Sequence, residues 1–559
     1  MEYVIPCGAL GIALAPGVSI AVKLATLAGL ATVVTHIPMV AAMWRHRTVP
    51  TAGRPLPFVG NMLEIFDVRG DGVDLHLLYD EWAKEYGPVF KLFIGTRCVI
   101  VAADLDLVRE VTLRKFSAFN ARAGPSKDSE TKVLGEQERK QAKYSIFNTK
   151  NPMLWKGLRS NANAIFHSVD KMAGFAPLMK STADELADRL ALVKEGESVD
   201  IWRLFGDMTL DVIGSTVFGV RFNSIHSPEG AEAVKAARTI FKYNILGGNP
   251  YVMAAFVCPS FLQPALKTLS ERYPTKAMRE LSEARGLIHE ISEQVYNLAT
   301  AEEDNAPAGP NDAEPAAGKK LSDSYHYNGN SFLKLFIEGR NRDTGAPLQK
   351  HEILPQAFIF LLAGYETTAN TLGSTIYMLT QNKEAEEKLI EEIDRLGKGK
   401  PGLPSIEELK DYKFLDAVLN EVLRIMGPAP LFTREALKDV DMSHGGVGRI
   451  VKGTSVHIAS HSLHMNPKHW PEPRRFLPER FVEGTKAYAA QNHKAWMPFG
   501  SGPRMCVASG FALVEAKLAL ITLYRRFRFE HAPGHKFVTK MILTVGPVDG
   551  IQVLVKKRE

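Results

Sequence analysis

The sequence predicts a mainly α-helical fold with small β-sheets, preceded by an N-terminal transmembrane anchor. Three observations predict it: helical apolar periodicity over most of the chain, short β-rich runs confined to two places, and two uncharged runs at the amino terminus. With 559 residues, 45% of them apolar and 23% charged, the chain has the make-up of a folded protein with a large core rather than of a disordered one. A net charge of +6 is mild and gives no footprint for nucleic acid. Cys7, Cys98, Cys258 and Cys506 are scattered, without the density of a disulfide scaffold or the CxxC spacing of a zinc site, and read as reduced thiols.

Residues 3–22 and 24–44 contain no Lys, Arg, Asp or Glu and are separated only by Lys23. Each could cross ~30 Å of hydrocarbon as a helix rising ~1.5 Å per residue. Trp44-Arg45-His46-Arg47 closes the run with an interfacial aromatic and positive charge, which places the bulk of the protein on the cytosolic side. One span, a short hairpin and a cleaved leader remain the alternatives for residues 1–47. Residues 48–61, including "VPTAGRPLPFVGN", carry Pro50, Pro55 and Pro57 and read as a stiff hinge. The catalytic part is then 62–559.

Within it, "VFKLFIGTRCVIVA" (89–102) and a group over 536–556 are the β-rich pieces. Helical patterning is clear over 183–193, 277–300, 353–380, 383–396 and 409–425. The uncharged run Tyr243 to Leu266 is broken by Gly247, Gly248, Pro250, Pro259 and Pro264, so it reads as a surface-inserted loop or core segment rather than a second crossing. Residues 301–320 lack aromatic and large aliphatic side chains, and a disordered insertion is expected at about 301–330.

Four constellations carry chemistry. In "WMPFGSGPRMCVASG", Gly500 and Gly502 allow a tight turn close to a bulky ligand, and Cys506 stands at a helix start whose N–H groups and dipole favour a thiolate. Arg504 adds a positive charge suited to a carboxylate. In "AFIFLLAGYETTANTLGSTIYML", Glu366, Thr367 and Thr368 interrupt an apolar helix beside Ala363 and Gly364, which are small enough to leave room for a ligand. Such hydroxyls can simply bond to the carbonyl four residues back. In "NEVLRIMGP", Glu421 and Arg424 share a helix face, a spacing usual for a surface ion pair. In "WKGLR", Trp155 and Arg159 lie one turn apart, as they would on an ordinary amphipathic helix.

Together these strings resemble the cytochrome P-450 superfamily. "FGSGPRMC" matches its haem-binding loop F-G-x-G-x-R-x-C-x-G at Phe499, Gly500, Gly502, Arg504 and Cys506, and departs at Ala508, where glycine is usual. The resemblance implies haem b with Cys506 as axial iron ligand, the thiolate favouring O–O cleavage over reversible oxygen carriage. "AGYETT" matches A-G-x-[DE]-T-T, which implies that Thr367 hydrogen-bonds activated oxygen and that Glu366 relays protons. "NEVLR" matches E-x-x-R and "FLPERF" supplies Arg480, which implies a buried Glu421, Arg424 and Arg480 triad of structural role. "WKGLR" matches W-x-x-x-R, so Trp155 and Arg159, with Arg434 of "FTREA", are implied contacts of the haem propionates. Ala363, Ala429, Leu431 and Phe432 are implied to line the substrate pocket.

The resemblance runs from about residue 50 to the end and implies the family's helical haem domain. The 53 residues after Cys506 are too few for a reductase domain. Electrons from NADPH are therefore expected through a separate flavoprotein reductase, with cytochrome b5 as a second donor and O2 as co-substrate. Arg525, Arg526 and Arg528 would suit an acidic flavoprotein, or simply a solvated helix end. The expected function is a monooxygenase of the endoplasmic reticulum membrane, its catalytic domain cytosolic, acting on a sterol, fatty acid, terpenoid or xenobiotic, with no nucleic-acid partner. A haem-thiolate isomerase or dehydratase of lipid peroxides is the first alternative, and a non-enzymatic haem-binding membrane protein the second.

Overall fold

The apolar stretch read as a helix over 353–380 becomes the 32-residue helix Lys350–Gln381 in the computed structural model. It starts at a capping box in which the Glu352 carboxylate accepts the Gln349 backbone N–H at 3.0 Å. Its length is ~48 Å at the usual rise, and the other helices gather around it. The structure describes residues 19–65, 74–123, 136–226, 232–243, 249–257, 263–304, 331–340, 345–400 and 402–558.

Helix Ile201–Ile213 packs closest to this central helix, and glycines set the approach. A side chain at Gly364 would lie 2.3 Å from Ile213 Cδ1, and one at Gly206 3.2 Å from the Tyr365 hydroxyl. Thr209 Oγ1 donates to the Tyr365 carbonyl at 2.9 Å, which fixes the register between the two helices. Helices Val169–Ala191, Lys276–Asp304, Lys413–Met426 and Ser509–Arg526 complete the main core, in which Leu361, Leu372, Ile376, Leu389, Val418, Leu520 and Phe529 are buried.

The β-rich runs form small sheets at the edges. Val89–Ile94 and Arg97–Ala102 make a hairpin, and the second strand pairs in parallel with Ser455–Ile458, which pairs antiparallel with Phe432–Glu435. The last two strands were not expected from the sequence. In the carboxy-terminal group, Thr539–Met541 pairs with Val545–Pro547, while Gln552–Lys557 lies between Ser198–Asp200 and Phe527–His531. The fold is thus mainly helical with small sheets, as expected.

Of the two amino-terminal runs, the first lies almost wholly outside the described residues. The second falls within helix Ile20–Arg45, which contains Pro38. Among the described residues no helix is long and apolar enough to cross a membrane. The end of Ile20–Arg45 rests on the first sheet, with Met39 and Ala42 against Phe93. The proline-rich segment expected to be a hinge is also laid down on that sheet. Lys91 N donates to the Pro50 carbonyl and Ala52 N to the Lys91 carbonyl, both at 2.8 Å, and Val49 and Ala52 are buried. The buried Lys91 ammonium donates to the carbonyls of His46 and Val49. The parts of Tyr243–Leu266 that are described include helix Pro250–Val257 and the start of Gln263–Arg272, neither of spanning length. The insertion expected at 301–330 lies, from residue 305 on, outside the described residues.

Candidate active site

The loop before helix Ser509–Arg526 turns on two glycines with positive φ, Gly500 (+81°) and Gly502 (+75°). At Gly502 a side chain would lie 2.0 Å from the Thr112 carbonyl oxygen, so any other residue there would push the loop off its neighbour. Cys506 N donates to the Phe499 carbonyl at 2.8 Å and closes the turn. The thiol lies deep in the protein mass yet is open to an internal cavity of about 860 Å³, which Phe499, Gly500 and Ala508 also line. Burial pushes the thiol pKa up, against the opposing pull of the Ala508 N–H and of Arg159 and Arg122. The features expected to favour a thiolate are therefore present, with burial acting against them.

Arginines crowd this loop, and they divide by what they hold. Arg504 spends all five N–H donors on protein: Nε on Asn120 Oδ1 (3.1 Å), one terminal nitrogen on the carbonyls of Ile146 and Phe147 (both 3.3 Å), the other on those of Asn120 (2.9 Å) and Thr149 (2.8 Å). Its guanidinium also stacks 4.7 Å from the Trp155 ring. It is a brace, with no donor left for a ligand carboxylate. Arg434 donates to the Thr433 and Ser501 carbonyls, and Arg122 to that of Arg504, but each keeps a buried Nε without a partner. Arg159 donates to the Met505 carbonyl and lines the cavity with Trp155.

Burial, then the positive charge of Arg122 and Arg504, brings the Arg434 pKa down to about 8; burial, then the positive charge of Arg122 and Arg159, brings Arg504 to about 9. Burial brings Arg122 to about 10. The neighbouring Glu435 is taken by Lys150 at 2.7 Å. Buried, mutually repelling guanidiniums gathered along one cavity favour a ligand that brings negative charge.

On the central helix, Ala363, Gly364, Thr367, Thr368 and Thr371 line the same cavity. Ala363 is the small residue that opens it, whereas the missing side chain of Gly364 is filled by Ile213. Thr367 Oγ1 donates to the Ala363 carbonyl one turn back. Glu366 does not line the cavity itself. Its carboxylate accepts from Thr544 Oγ1 at 2.7 Å, and Thr544, in the turn between Thr539–Met541 and Val545–Pro547, does line it. Burial pushes the Glu366 carboxyl up to about 7, with the Thr544 hydrogen bond opposing.

Glu421, Arg424 and Arg480 meet in the core, each 1% exposed or less. Arg424 clasps the Glu421 carboxylate with two bonds of 2.7 and 2.8 Å, and Arg480 Nε and Leu477 N add bonds of 3.2 and 3.0 Å. Arg424 also donates to the His464 carbonyl at 2.8 Å, and His464 Nε2 accepts from Met497 N at 2.9 Å. Burial lowers the His464 pKa to about 3, so the ring stays a neutral acceptor. This chain of bonds ties the triad to the start of the Cys506 loop. Ala429, Leu431 and Phe432 also line the cavity. Arg526 and Arg528, read as a docking charge, are paired with Asp188 and Glu387, and Arg525 donates to the Gly402 carbonyl.

Comparison with known proteins agrees with this geometry. The Cytochrome P450 family profile matches residues 50–555. The chain belongs to the cytochrome P450 family. It is 31% identical over 495 residues to thromboxane-A synthase of Sus scrofa, 86% of each chain, and 30% identical over 522 residues to that of Macaca fascicularis, 90% of this chain and 91% of the other. It is also 30% identical over 492 residues to cytochrome P450 3A7 of Homo sapiens, 85% of this chain and 84% of the other. A P450 is a haem enzyme, and the donor set here fits one. A sulfur opens onto the cavity, and Arg122, Arg159 and Arg434, which also line it, bring positive charge that would suit its two carboxylates.

Arg122 and Thr544 were not singled out from the sequence. Arg122 sits in "NARAG" with no motif around it, and Thr544 joins Glu366 only through a contact 178 residues apart in the chain. The overlooked signal was chemical: a carboxylic acid in an apolar helix requires a polar partner from somewhere.

Proposed function

We propose that the protein is a membrane-anchored monooxygenase that inserts one atom of O2 into a lipophilic small molecule. The reading is carried by a single observation: the Cys506 sulfur and the Thr367, Thr544 and Ala363 surface share one mainly apolar cavity. Cys506 would hold the haem iron, while Arg122, Arg434 and Arg159, with Trp155, would take its carboxylates. Bound haem supplies oxygen activation, the thiolate adding the electron density that favours O–O cleavage. The chain's own residues do the rest. Phe432, Leu431 and Ala429 exclude water and bind the substrate's apolar surface, Ala363 leaves it room, and Glu366 with Thr367 and Thr544 holds a proton at the cavity wall.

Electrons come from NADPH through a separate flavoprotein reductase, with cytochrome b5 as a second donor. The uncharged runs before Arg45 support an anchor in the endoplasmic reticulum with the catalytic domain in the cytosol. The likeness to thromboxane-A synthase favours one other reading, a haem-thiolate synthase that rearranges a lipid peroxide without reductase.

The test is to reduce the purified protein under carbon monoxide and then assay turnover with lauric acid, cholesterol and geraniol, with and without NADPH and reductase. The expected result is the Soret band of thiolate-ligated haem, lost in Cys506→Ala, and product that depends on NADPH, reductase and O2. Product formed from a lipid hydroperoxide with none of the three would replace the first reading by the second.

A further inference from the structure

The hydroxyl of Thr544 occupies a place that can be deduced donor by donor. Trp202 Nε1 can only donate, and it donates to Asn370 Oδ1 at 2.6 Å. The Asn370 amide is therefore oriented with its NH2 group outward, toward the Val545 carbonyl (2.9 Å) and Thr544 Oγ1 (3.2 Å). Thr544 must accept from Asn370, which leaves its single proton and one lone pair for other partners. The turn cannot drift away from this contact. Val545 N donates to the Pro428 carbonyl at 2.9 Å, and Gly546 passes so close that a side chain there would lie 3.0 Å from the Asn370 amide.

Two hydrogen-bond states follow. With Glu366 ionised, the carboxylate only accepts, so the Thr544 proton points at it, 2.7 Å away, and away from the cavity. With Glu366 protonated, the acid donates to Thr544, whose second lone pair is now filled. The Thr544 proton then has no place but the cavity that Thr544 lines and Glu366 does not.

We propose that Thr544 passes the proton of Glu366 into the cavity, its hydroxyl facing the carboxylate when Glu366 is ionised and the cavity when Glu366 is protonated. This rests on the monooxygenase reading above. The transfer balances: the Glu366 O–H bond breaks as a new one forms on Thr544 Oγ1, the original Thr544 proton leaves to an acceptor in the cavity, and Glu366 is left as carboxylate. Its next proton comes from water. Trp202 and Asn370 act as positioning residues, since neither meets the cavity in this arrangement.

The experiment uses the full-length holoprotein as wild type, Thr544→Val, Thr544→Ser and Glu366→Gln, with Thr544→Ala as a second deletion of the hydroxyl in case valine disturbs the turn. The carboxylic acid band that vanishes in Glu366→Gln is titrated by infrared difference spectroscopy. Product and hydrogen peroxide per NADPH are measured with whichever of lauric acid, cholesterol and geraniol gives the largest Soret shift. Removing a hydrogen bond that favours the carboxylate raises its titration midpoint. Thr544→Val and Thr544→Ala are therefore expected to shift the Glu366 midpoint upward and to lower product per NADPH ~10-fold or more, with peroxide rising. Thr544→Ser should retain both wild-type values. An unmoved midpoint or wild-type coupling in both deletion variants overturns the proposal. Wild-type turnover that needs neither O2 nor reductase overturns the monooxygenase reading and the delivery step with it, while the infrared arm still decides whether Thr544 holds Glu366.

Discussion

The two walls of the cavity are built on different principles. The wall that carries Cys506 is braced from within: Arg504 is saturated by Asn120 and the carbonyls of residues 146, 147 and 149, and the Glu421 triad reaches the loop through His464. The opposite wall, on the central helix, is backed by the Glu366 carboxyl group, whose partner comes from a turn at the far end of the chain. Glu421 and Arg504 in the first brace are each held by several partners, whereas the one hydrogen-bond partner described for the Glu366 carboxylate is the Thr544 hydroxyl. The first wall is therefore held by many bonds at once, and the second hangs on a single one.

The largest effect is expected from Glu421→Ala. It leaves the Arg424 and Arg480 guanidiniums buried without their anion, and losing one partner of such a pair costs ~3–5 kcal/mol. Chemical denaturation should show that loss, and haem retention should fall with it because His464 and Met497 lose their anchor. A variant that unfolds like wild type would mean that the triad is not the brace of this wall.

A smaller effect is expected on the other wall. The Glu366 pKa is raised to about 7 in the folded protein, so folding favours its protonated form. The sign follows from proton binding. Below the ordinary carboxylate range, near 4.5, both states carry the proton and there is no penalty; between there and about 7 the unfolded chain has lost it and the folded one has not, so stability falls as pH rises. Above about 7 the loss is complete. At 1.36 kcal/mol per unit, and discounted because Glu366 is only partly buried, it amounts to ~2 kcal/mol. Glu366→Gln should flatten the stability profile across that window, measured as melting temperature from pH 4 to 9. An unchanged slope would show that Glu366 titrates normally.

The same contrast explains what could be read in the sequence. The long helices were legible because each buries one face over many turns, and the Cys506 loop because its glycines, arginine and cysteine are contiguous. The strands Phe432–Glu435 and Ser455–Ile458 were not, being four residues each and stabilised by pairing with one another and, for the second, with Arg97–Ala102 far upstream. Arg504 was found, but its partners were not. They are mostly backbone carbonyls, which every residue carries and only the fold selects. Gly364 was read as room for a ligand, although Ile213 fills that space, because helix-to-helix contacts leave no local mark.

The smallest effect is expected at Ala508, where the family pattern has glycine. Ala508 precedes helix Ser509–Arg526 with φ −101° and ψ 20°, angles that an alanine adopts without strain. Its backbone therefore gives no reason for glycine, unlike Gly500 and Gly502, whose φ values are positive. Two opposing terms govern Ala508→Gly. Glycine is the better residue at a helix start by a few tenths of a kcal/mol or more, yet it loses more backbone entropy on folding, by ~0.4–1 kcal/mol. They nearly cancel, so the melting temperature should hold to within the equivalent of ~0.5 kcal/mol. The methyl group lines the cavity, so its removal changes contact with the occupant and not the sulfur or the arginine brace. The carbon monoxide spectrum of Ala508→Gly should accordingly stay that of thiolate-ligated haem. A lost thiolate band in a variant that melts normally would show that this wall is held by the methyl contact and not by the saturated Arg504.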